Sequence, residues 1–101
     1  MPQSKRVFRL TPKAVADLED IWSYTAQQWS PEQAGEYHAS LLRAITGLSE
    51  GKLVWQRADH IRLGYLKFRV QSHVIFFKIT ALHLDVIRIL HNRMDFSSHL
   101  R

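Results

Sequence analysis

The sequence predicts an α+β fold made of one strand, two helices and three further strands, in the order β-α-α-β-β-β. Two short segments, "LTPKA" and "WSPEQA", have the residues of a helix start, and an apolar stripe with helical spacing follows each of them. Beyond Arg62 the apolar spacing changes to a period of two, which is typical of strands. We therefore expect an antiparallel two-helix hairpin packed on one face of a small, mostly antiparallel β-sheet.

The chain length is that of one domain. A chain of 101 residues, 46% of them hydrophobic, can bury one core but not two. We interpret residues 1–101 as a single domain with residues 92–101 as a C-terminal tail. The N-terminus lacks the apolar stretch of a signal peptide, and no apolar run approaches the roughly 20 residues that span a bilayer. We therefore expect a cytoplasmic protein.

The first predicted strand, residues 5–10, is short and half exposed. Its residues alternate, with Phe8 and Leu10 on one side and Val7 and Arg9 on the other. Such alternation fits a strand that has one side on the core and the other in solvent.

The first helix begins at a cap and a proline. Thr11 is a good N-cap and Pro12 a good first residue, because proline lacks only an N–H that would be unsatisfied there. Asp17, Glu19 and Asp20 lie beside the apolar stripe, and we expect them to face solvent and the positive helix end. The stripe consists of Ala14, Leu18, Ile21, Trp22, Thr25 and Trp29. We interpret both tryptophans of this stripe as core residues.

The second helix repeats this pattern. Ser30 is its predicted cap, Pro31 its first residue, and Gly51 a plausible C-terminal stop. Because only a cap separates the two helices, they must form an antiparallel hairpin. The second stripe consists of Ala34, Tyr37, Leu41, Ile45 and Leu48, widened by Leu42 and Ala44.

Three strands follow a predicted loop at residues 52–60. In "RLGYLKFRV" one side carries Leu66, Phe68 and Val70, and the other carries Tyr65, Lys67 and Arg69. The segment "HVIFFKI" is nearly all apolar, so we predict that it is the central strand with both faces covered. The last strand contains "VIRIL", in which Arg88 is the one charged residue, and a charge in such a strand requires a partner.

An apolar surface on the second face of this sheet lacks a predicted cover, unless the tail folds back. Val74 and Phe76 belong to this face if the helices cover Ile75 and Phe77, which alternate with them. The chain is also unevenly charged: the net charge of +5 divides into −1 for residues 1–50 and +6 for residues 51–101. An acidic, amphipathic partner segment would satisfy both the apolar face and the basic half.

The sequence contains six histidines but no cysteine, and no histidine pair has the spacing of a helical metal site. We therefore predict no metal ion and no cofactor. A metal-free nuclease site needs a general base and cations that stabilise the charge on phosphorus. His91 could supply the base, and Arg62, Arg88 and Arg93 the phosphate clamp.

The series "LTPKAVADLEDIWSYTAQQW", "QAGEYHASLL", "DHIRLGYLKF", "SHVIFFKI" and "VIRILHNRMDFSSHL" resembles the ParE toxins of the RelE/ParE superfamily, which belong to bacterial type II toxin–antitoxin pairs. The resemblance covers nearly the whole chain and implies a RelE/ParE-like fold. It also implies a ParD-like antitoxin whose extended, acidic C-terminal segment binds the toxin in a hetero-oligomer. The target that it implies is DNA gyrase.

The same superfamily contains RelE-type enzymes that cut mRNA on the ribosome. Those enzymes carry an arginine in the central strand, where this sequence has Val74, and another near His91 and Asn92. They often end with a catalytic tyrosine, whereas no tyrosine follows Tyr65 here. Two alternatives to a gyrase inhibitor therefore stay open. One is a nucleic-acid-binding module without catalysis. The other is a RelE-type endonuclease whose catalytic residues would be Arg62, Arg88, His91 and Arg93.

The closing stretch is interpreted as a docking surface for the target, without stable binding of nucleic acid. The simplest structural alternative is that Arg88 pairs with Asp95 while His91 satisfies a backbone carbonyl. The candidate gyrase-docking residues are Arg88, His91, Arg93, Met94, Asp95, Phe96, His99 and Leu100. The candidate antitoxin-binding residues are Tyr65, Lys67, Arg69, Val74 and Phe76.

Overall fold

The computed structural model describes residues 5–100, which form a five-stranded sheet with two long helices on one face. The elements are β1 (Val7–Leu10), α1 (Pro12–Gln28), α2 (Pro31–Ser49), β2 (Gln56–Arg57), β3 (Leu66–Val70), β4 (His73–Ile79), β5 (His83–His91) and α3 (Phe96–His99). The predicted element order is confirmed, with two additions: β2 within the predicted loop and α3 within the tail. A strand of two residues contains no period, so sequence spacing does not reveal it.

The sheet has the strand order β1-β5-β4-β3-β2. Strand β1 pairs with β5 in parallel, and the other three pairs are antiparallel. The prediction that "HVIFFKI" is the central strand is confirmed, since β4 lies third among the five strands. Within residues 5–100, none of the helices is both long and apolar enough to cross a lipid bilayer.

Both predicted helix starts are confirmed by hydrogen bonds. The backbone N–H of Ala14 donates to Thr11 Oγ1 at 3.1 Å, and that of Gln33 donates to Ser30 Oγ at 3.0 Å. These bonds satisfy N–H groups that have no partner within the helix. Gly51, just after the end of α2, has a φ of 73°, a conformation that glycine adopts without steric cost.

The side of the sheet that packs against α1 and α2, here called the helix face, carries the larger core. The apolar stripes of both helices meet alternate strand residues there, as their spacing predicts. The fully or nearly fully buried members are Ala14, Leu18, Leu41, Ala44, Ile45, Leu48, Ile75, Phe77, Leu84, Val86 and Ile89. Burial of each large apolar side chain contributes about 1.5–3 kcal/mol.

The two tryptophans predicted in the core are exposed, so that prediction is wrong. Trp22 retains 41% of its accessible surface and Trp29 retains 70%. Trp22 follows Ile21, which packs on the core. Because successive residues are about 100° apart around a helix, the ring of Trp22 is directed to the side of α1 and not toward the core. Trp29 is the C-cap of α1 with φ −127° and ψ −84°, and it has left the helical register.

A bulge in β5 changes which residues reach each face. Phe77 lies opposite Val86, whereas Phe76 lies opposite Arg88, so Ile87 is the extra residue. Simple alternation along β5 places Val86 and Ile89 on different faces, and the bulge brings them to the same face. The helix face receives Leu84, Val86 and Ile89, and the opposite face receives Ile87 and Leu90.

The expectation of an uncovered second face is wrong, because the tail and the loop before β3 fold over it. This side of the sheet, here called the tail face, has its own core of Ala58, Tyr65, Val74, Phe76, Leu90 and Leu100. Leu100 is only 2% exposed, and the Phe96 ring meets the Phe76 ring edge-on at a centroid distance of 4.9 Å. Val74 and Phe76, two of the predicted antitoxin contacts, are 6% and 0% exposed.

Candidate docking surfaces

The charged residue in the last strand has a carboxylate partner, but not the predicted one. Arg88 forms two hydrogen bonds of 2.8 Å with the carboxylate of Asp17, and a third of 3.2 Å with the carbonyl oxygen of His99. The expected pair of Arg88 with Asp95 is therefore wrong, as is the expectation that Asp17 faces solvent. The bond to Asp17 is the largest cause of the raised pKa of Arg88.

Asp17 occupies this position because the edge of β5 needs hydrogen-bond partners. Strand β1 ends opposite Val86, so the next part of β5 lies beside the start of α1 instead of a strand. Thr11 Oγ1 donates to the carbonyl of Ile87 at 2.7 Å, and the N–H of Ile89 donates to Asp17 Oδ2 at 2.9 Å. The side chains of Asp17 in α1 and of Thr11, the N-cap of α1, thus replace the missing strand.

The Asp17–Arg88 pair is mostly buried, with side-chain exposures of 11% and 16%. Removal of one member of a buried, hydrogen-bonded pair typically costs about 3–5 kcal/mol, because the other charge is left without compensation. Arg88 also contacts the tail through His99, so it joins α1, β5 and α3. Its side chain is a structural link and not a free docking group.

A second arginine holds the tail from the other side. Arg62 Nη1 donates to the carbonyl oxygen of Leu100 at 2.7 Å, and its guanidinium lies 5.7 Å from the centre of the Tyr65 ring. Two of the three arginines in the nuclease hypothesis, Arg62 and Arg88, are therefore engaged with the protein itself. Arg93 is exposed.

The longest exposed run in the closing stretch is the turn Arg93–Asp95. Met94 retains 38% of its surface, and its N–H donates to the carbonyl of His91 at 3.0 Å. Asp95 accepts a hydrogen bond of 2.6 Å from Ser98 Oγ, which is the largest cause of its lowered pKa. Of the eight candidate gyrase-docking residues, these three are exposed, while Phe96, His99 and Leu100 hold the tail in place.

The simpler structural alternative expected the ring of His91 to satisfy a backbone carbonyl. In the structure the ring accepts a backbone N–H instead. Its Nδ1 accepts from the N–H of Arg93 at 3.1 Å. In the neutral ring the proton therefore lies on Nε2. His91 also meets His73 edge-on at a centroid distance of 5.2 Å.

Three cations of β3 and β4 lie on the tail face of the sheet. Lys67 and Arg69 lie opposite Phe76 and Val74 in the register of β3 and β4, so they share the tail face. Lys78 Nζ lies 5.4 Å from the centre of the Tyr65 ring. We call Lys67, Arg69 and Lys78 the basic rim. Lys78 is not among the predicted antitoxin contacts, although it alternates in phase with Val74 and Phe76.

A groove of about 750 Å³ opens at the hairpin end of the helix face. Tyr37 Oη lies 2.6 Å from His73 Nδ1 and 3.2 Å from the carbonyl oxygen of Val70. Burial, followed by the neighbouring His91, lowers the pKa of His73 to about 4. His73 is therefore neutral near pH 7. Among residues 5–100 no three His, Asp or Glu side chains converge as metal ligands.

Most of the chain is similar in sequence to known ParE toxins. A family model described as "ParE toxin of type II toxin-antitoxin system, parDE" matches residues 8–96. Toxin ParE1 of Caulobacter vibrioides is 37% identical over 93 residues, which are 92% of this chain and 96% of the relative. Toxin ParE of Escherichia coli is 32% identical over 92 residues, which are 90% of this chain and 89% of the relative.

A solved structure is also similar. A chain of the structure titled "Chromosomal ParDE TA system from P. aeruginosa" aligns with a TM-score of 0.74, over 85% of this chain and 95% of that chain. The sequence identity in that alignment is 18%, so this likeness concerns the fold.

Proposed function

The chain belongs to the ParE toxin family of type II toxin–antitoxin systems, and we propose that it inhibits DNA gyrase until a ParD-like antitoxin neutralises it. One observation favours gyrase inhibition over RNA cleavage: Arg62 and Arg88 form hydrogen bonds within the protein itself. Cleavage requires cations aimed at a phosphate, and these two guanidinium groups donate to Leu100, His99 and Asp17 instead.

The exposed turn Arg93–Asp95 is the proposed gyrase-docking surface. It presents a cation, a thioether and a carboxylate on a short segment held at both ends. The N–H groups of Arg93 and Met94 donate to His91, and at the other end Asp95 accepts from Ser98 Oγ. A turn that is fixed in this way loses little conformational entropy when it binds a partner.

The basic rim is the proposed site for the acidic C-terminal segment of the antitoxin. Lys67, Arg69 and Lys78 lie on one side of the sheet and take part in no salt bridge among the described residues. Opposite charges across an interface raise the association rate and select the partner. Because Val74 and Phe76 are buried, the antitoxin is expected to contact the rim and the Tyr65 edge, and not those two side chains.

A gyrase assay and a translation assay test the proposed target. Purified protein should inhibit DNA supercoiling by gyrase and should leave mRNA intact on programmed ribosomes. Cleavage of mRNA with unaffected gyrase would contradict the proposal and assign the chain to the RelE-type activity.

Matched charge reversals test the two surfaces separately. Arg93→Glu should weaken gyrase inhibition about fivefold or more and leave antitoxin affinity unchanged, because one close charge pair contributes on the order of 1 kcal/mol. Lys78→Glu should weaken antitoxin binding by a similar factor and spare gyrase inhibition. Lys13→Glu, on the exposed side of α1, is the control with the same change in net charge. Equal effects of all three variants would mean that net charge, and not a defined surface, governs binding.

A further inference from the structure

We propose that the groove at the hairpin end is a docking site for an arginine or lysine side chain that a partner protein presents among apolar residues. The groove lies between the ends of α1 and α2 and the turn that joins β3 to β4. No residue of the basic rim or of the turn Arg93–Asp95 lines it, although His91, which does, accepts the backbone N–H of Arg93. The proposal does not depend on which enzyme the toxin inhibits.

Exposed aromatic rings are the first observation. Tyr24 retains 64% of its surface and Trp29 retains 70%, and both line the groove together with Tyr37. Most large aromatic side chains are buried in a folded domain, so two exposed rings at one concave site indicate a partner surface. The face of an aromatic ring also attracts cations, and tryptophan does so most strongly.

The charge of the lining is the second observation. Asp20 and Glu36 line the groove, and neither takes part in a salt bridge among residues 5–100. Arg43 is the cation of the lining, so the groove has a net charge of −1 when its histidines are neutral. The rest of the chain is strongly basic. The groove therefore differs in sign from its surroundings and complements a cation.

The same observations exclude other occupants. The two carboxylates of the lining repel phosphate, so a nucleic acid backbone does not fit. The hydroxyl of Tyr37 and Nδ1 of His73 lie within hydrogen-bond distance of each other, so neither atom needs a partner from an occupant. Three aromatic rings, the aliphatic side chain of Ile21 and two carboxylates fit the long stem and charged end of arginine or lysine.

A titration followed by NMR tests this site in the full chain. Two acetylated, amidated heptapeptides serve as probes: one has two arginines among leucines and alanines, and the other has glutamates in place of the arginines. The protein has three tryptophans, of which only Trp29 lines this groove. The arginine peptide should shift the Trp29 indole N–H resonance and leave those of Trp22 and Trp55 in place. The dissociation constant of the glutamate peptide should be higher by a factor of about ten or more.

Variants identify the groups responsible. Trp29→Ala should weaken the arginine peptide about three- to tenfold, because the cation loses its ring. The double variant Asp20→Asn/Glu36→Gln should weaken it about threefold, with a smaller effect at high salt. Glu32→Gln is the control, since Glu32 is an exposed carboxylate that lies on α2, as Glu36 does, but outside the groove.

Several outcomes would overturn the proposal. They are equal affinity for both peptides, shifts confined to Trp22 or Trp55, and no shift at about 5 mM peptide, where even a weak site is occupied. A concentration-dependent dimer that buries Trp29 would assign the groove to a second copy of the chain. Because neither gyrase nor antitoxin takes part in this test, its failure leaves the proposed function in place.

Discussion

The two faces of the sheet are covered in different ways. The helix face lies under two long helices whose apolar stripes recur along 17 and 19 residues. The tail face lies under a loop and a four-residue helix, α3. Arg62 donates a hydrogen bond to the carbonyl of Leu100, and Arg88 donates one to the carbonyl of His99, and these bonds hold the tail. Many interchangeable apolar contacts stabilise the first cover, whereas a few specific contacts stabilise the second.

This difference has a consequence for both stability and function. A four-residue helix has almost no stability of its own, so its position depends on tertiary contacts. The exposed turn Arg93–Asp95 lies directly before that helix, and its geometry depends on the same contacts. Weakening the tail should therefore reduce activity at the turn before it unfolds the helix face.

The largest expected effect concerns Arg88, which contacts both covers. Arg88→Ala should lower the free energy of unfolding by about 3–5 kcal/mol, because it leaves the Asp17 carboxylate buried without a counter-charge. Arg88→Lys keeps the charge but not the two-pronged geometry, so its loss should be smaller. Urea denaturation followed by circular dichroism measures both.

Arg93→Ala is the control for this experiment. Arg93 is an exposed arginine of the same region, and its removal should change stability by less than about half a kcal/mol. If Arg88→Ala were as mild as Arg93→Ala, the two covers would not be joined through Arg88.

Removal of the tail after Asp95 should have the next largest effect. The deletion takes away the buried Leu100 and the partly buried Phe96, which corresponds to about 3–4 kcal/mol. A domain of typical stability, about 5–15 kcal/mol, stays folded after such a loss. The uncovered Val74 and Phe76 should then bind the dye ANS, and gyrase inhibition should be lost.

Ser97→Ala, at an exposed position of α3, is the control for the deletion and should leave both readouts unchanged. A truncated protein that inhibits gyrase at full potency would show that the tail does not support the docking surface.

The smallest expected effect is a pH dependence at the helix face. The pKa of His73 is about 4 in the folded protein, below the value of about 6.5 for an unfolded chain. Between these values the unfolded chain binds more protons, so stability is complete above about pH 6.5 and falls as the pH drops toward 4. With allowance for the partial exposure of the ring, the loss should be about 1–2 kcal/mol.

Urea denaturation at several pH values measures this effect, and the comparison with His73→Gln isolates it from the titration of carboxylates. His60→Gln, at an exposed loop position, should retain the pH dependence of the natural chain. Identical profiles for His73→Gln and the natural chain would contradict the assignment to His73.

Sequence patterns predicted the helix face well because its determinants are local. A cap at Thr11 or Ser30 and a stripe with a period of 3.6 depend only on near neighbours in the chain. The alternation of β3 and the apolar character of β4 likewise set the two faces of the sheet. The family resemblance, carried by the order of such segments, is also confirmed.

The failed predictions concern particular residues for which alternation was not enough. Trp29 belongs to the stripe by spacing, but the helix ends before it and its ring turns outward. Ile89 shares a face with Val86 only because β5 contains a bulge. Ser30 and Pro31 marked the start of α2 but not the turn of the Trp29 side chain away from the core, and no glycine marks the bulge in β5.

The sequence by itself determined the order of the elements, the helix caps, the central strand and the basic second half of the chain, because each follows from short-range spacing or from composition. Only the tertiary structure decided that Asp17 is the partner of Arg88, 71 residues away, and that the tail covers Val74 and Phe76. The physical reason is that a buried charge and an apolar face both require a partner, but any carboxylate and any apolar segment could supply it. The partner is chosen by where the end of β1 and the bulge in β5 leave hydrogen-bonding groups and apolar surface uncovered.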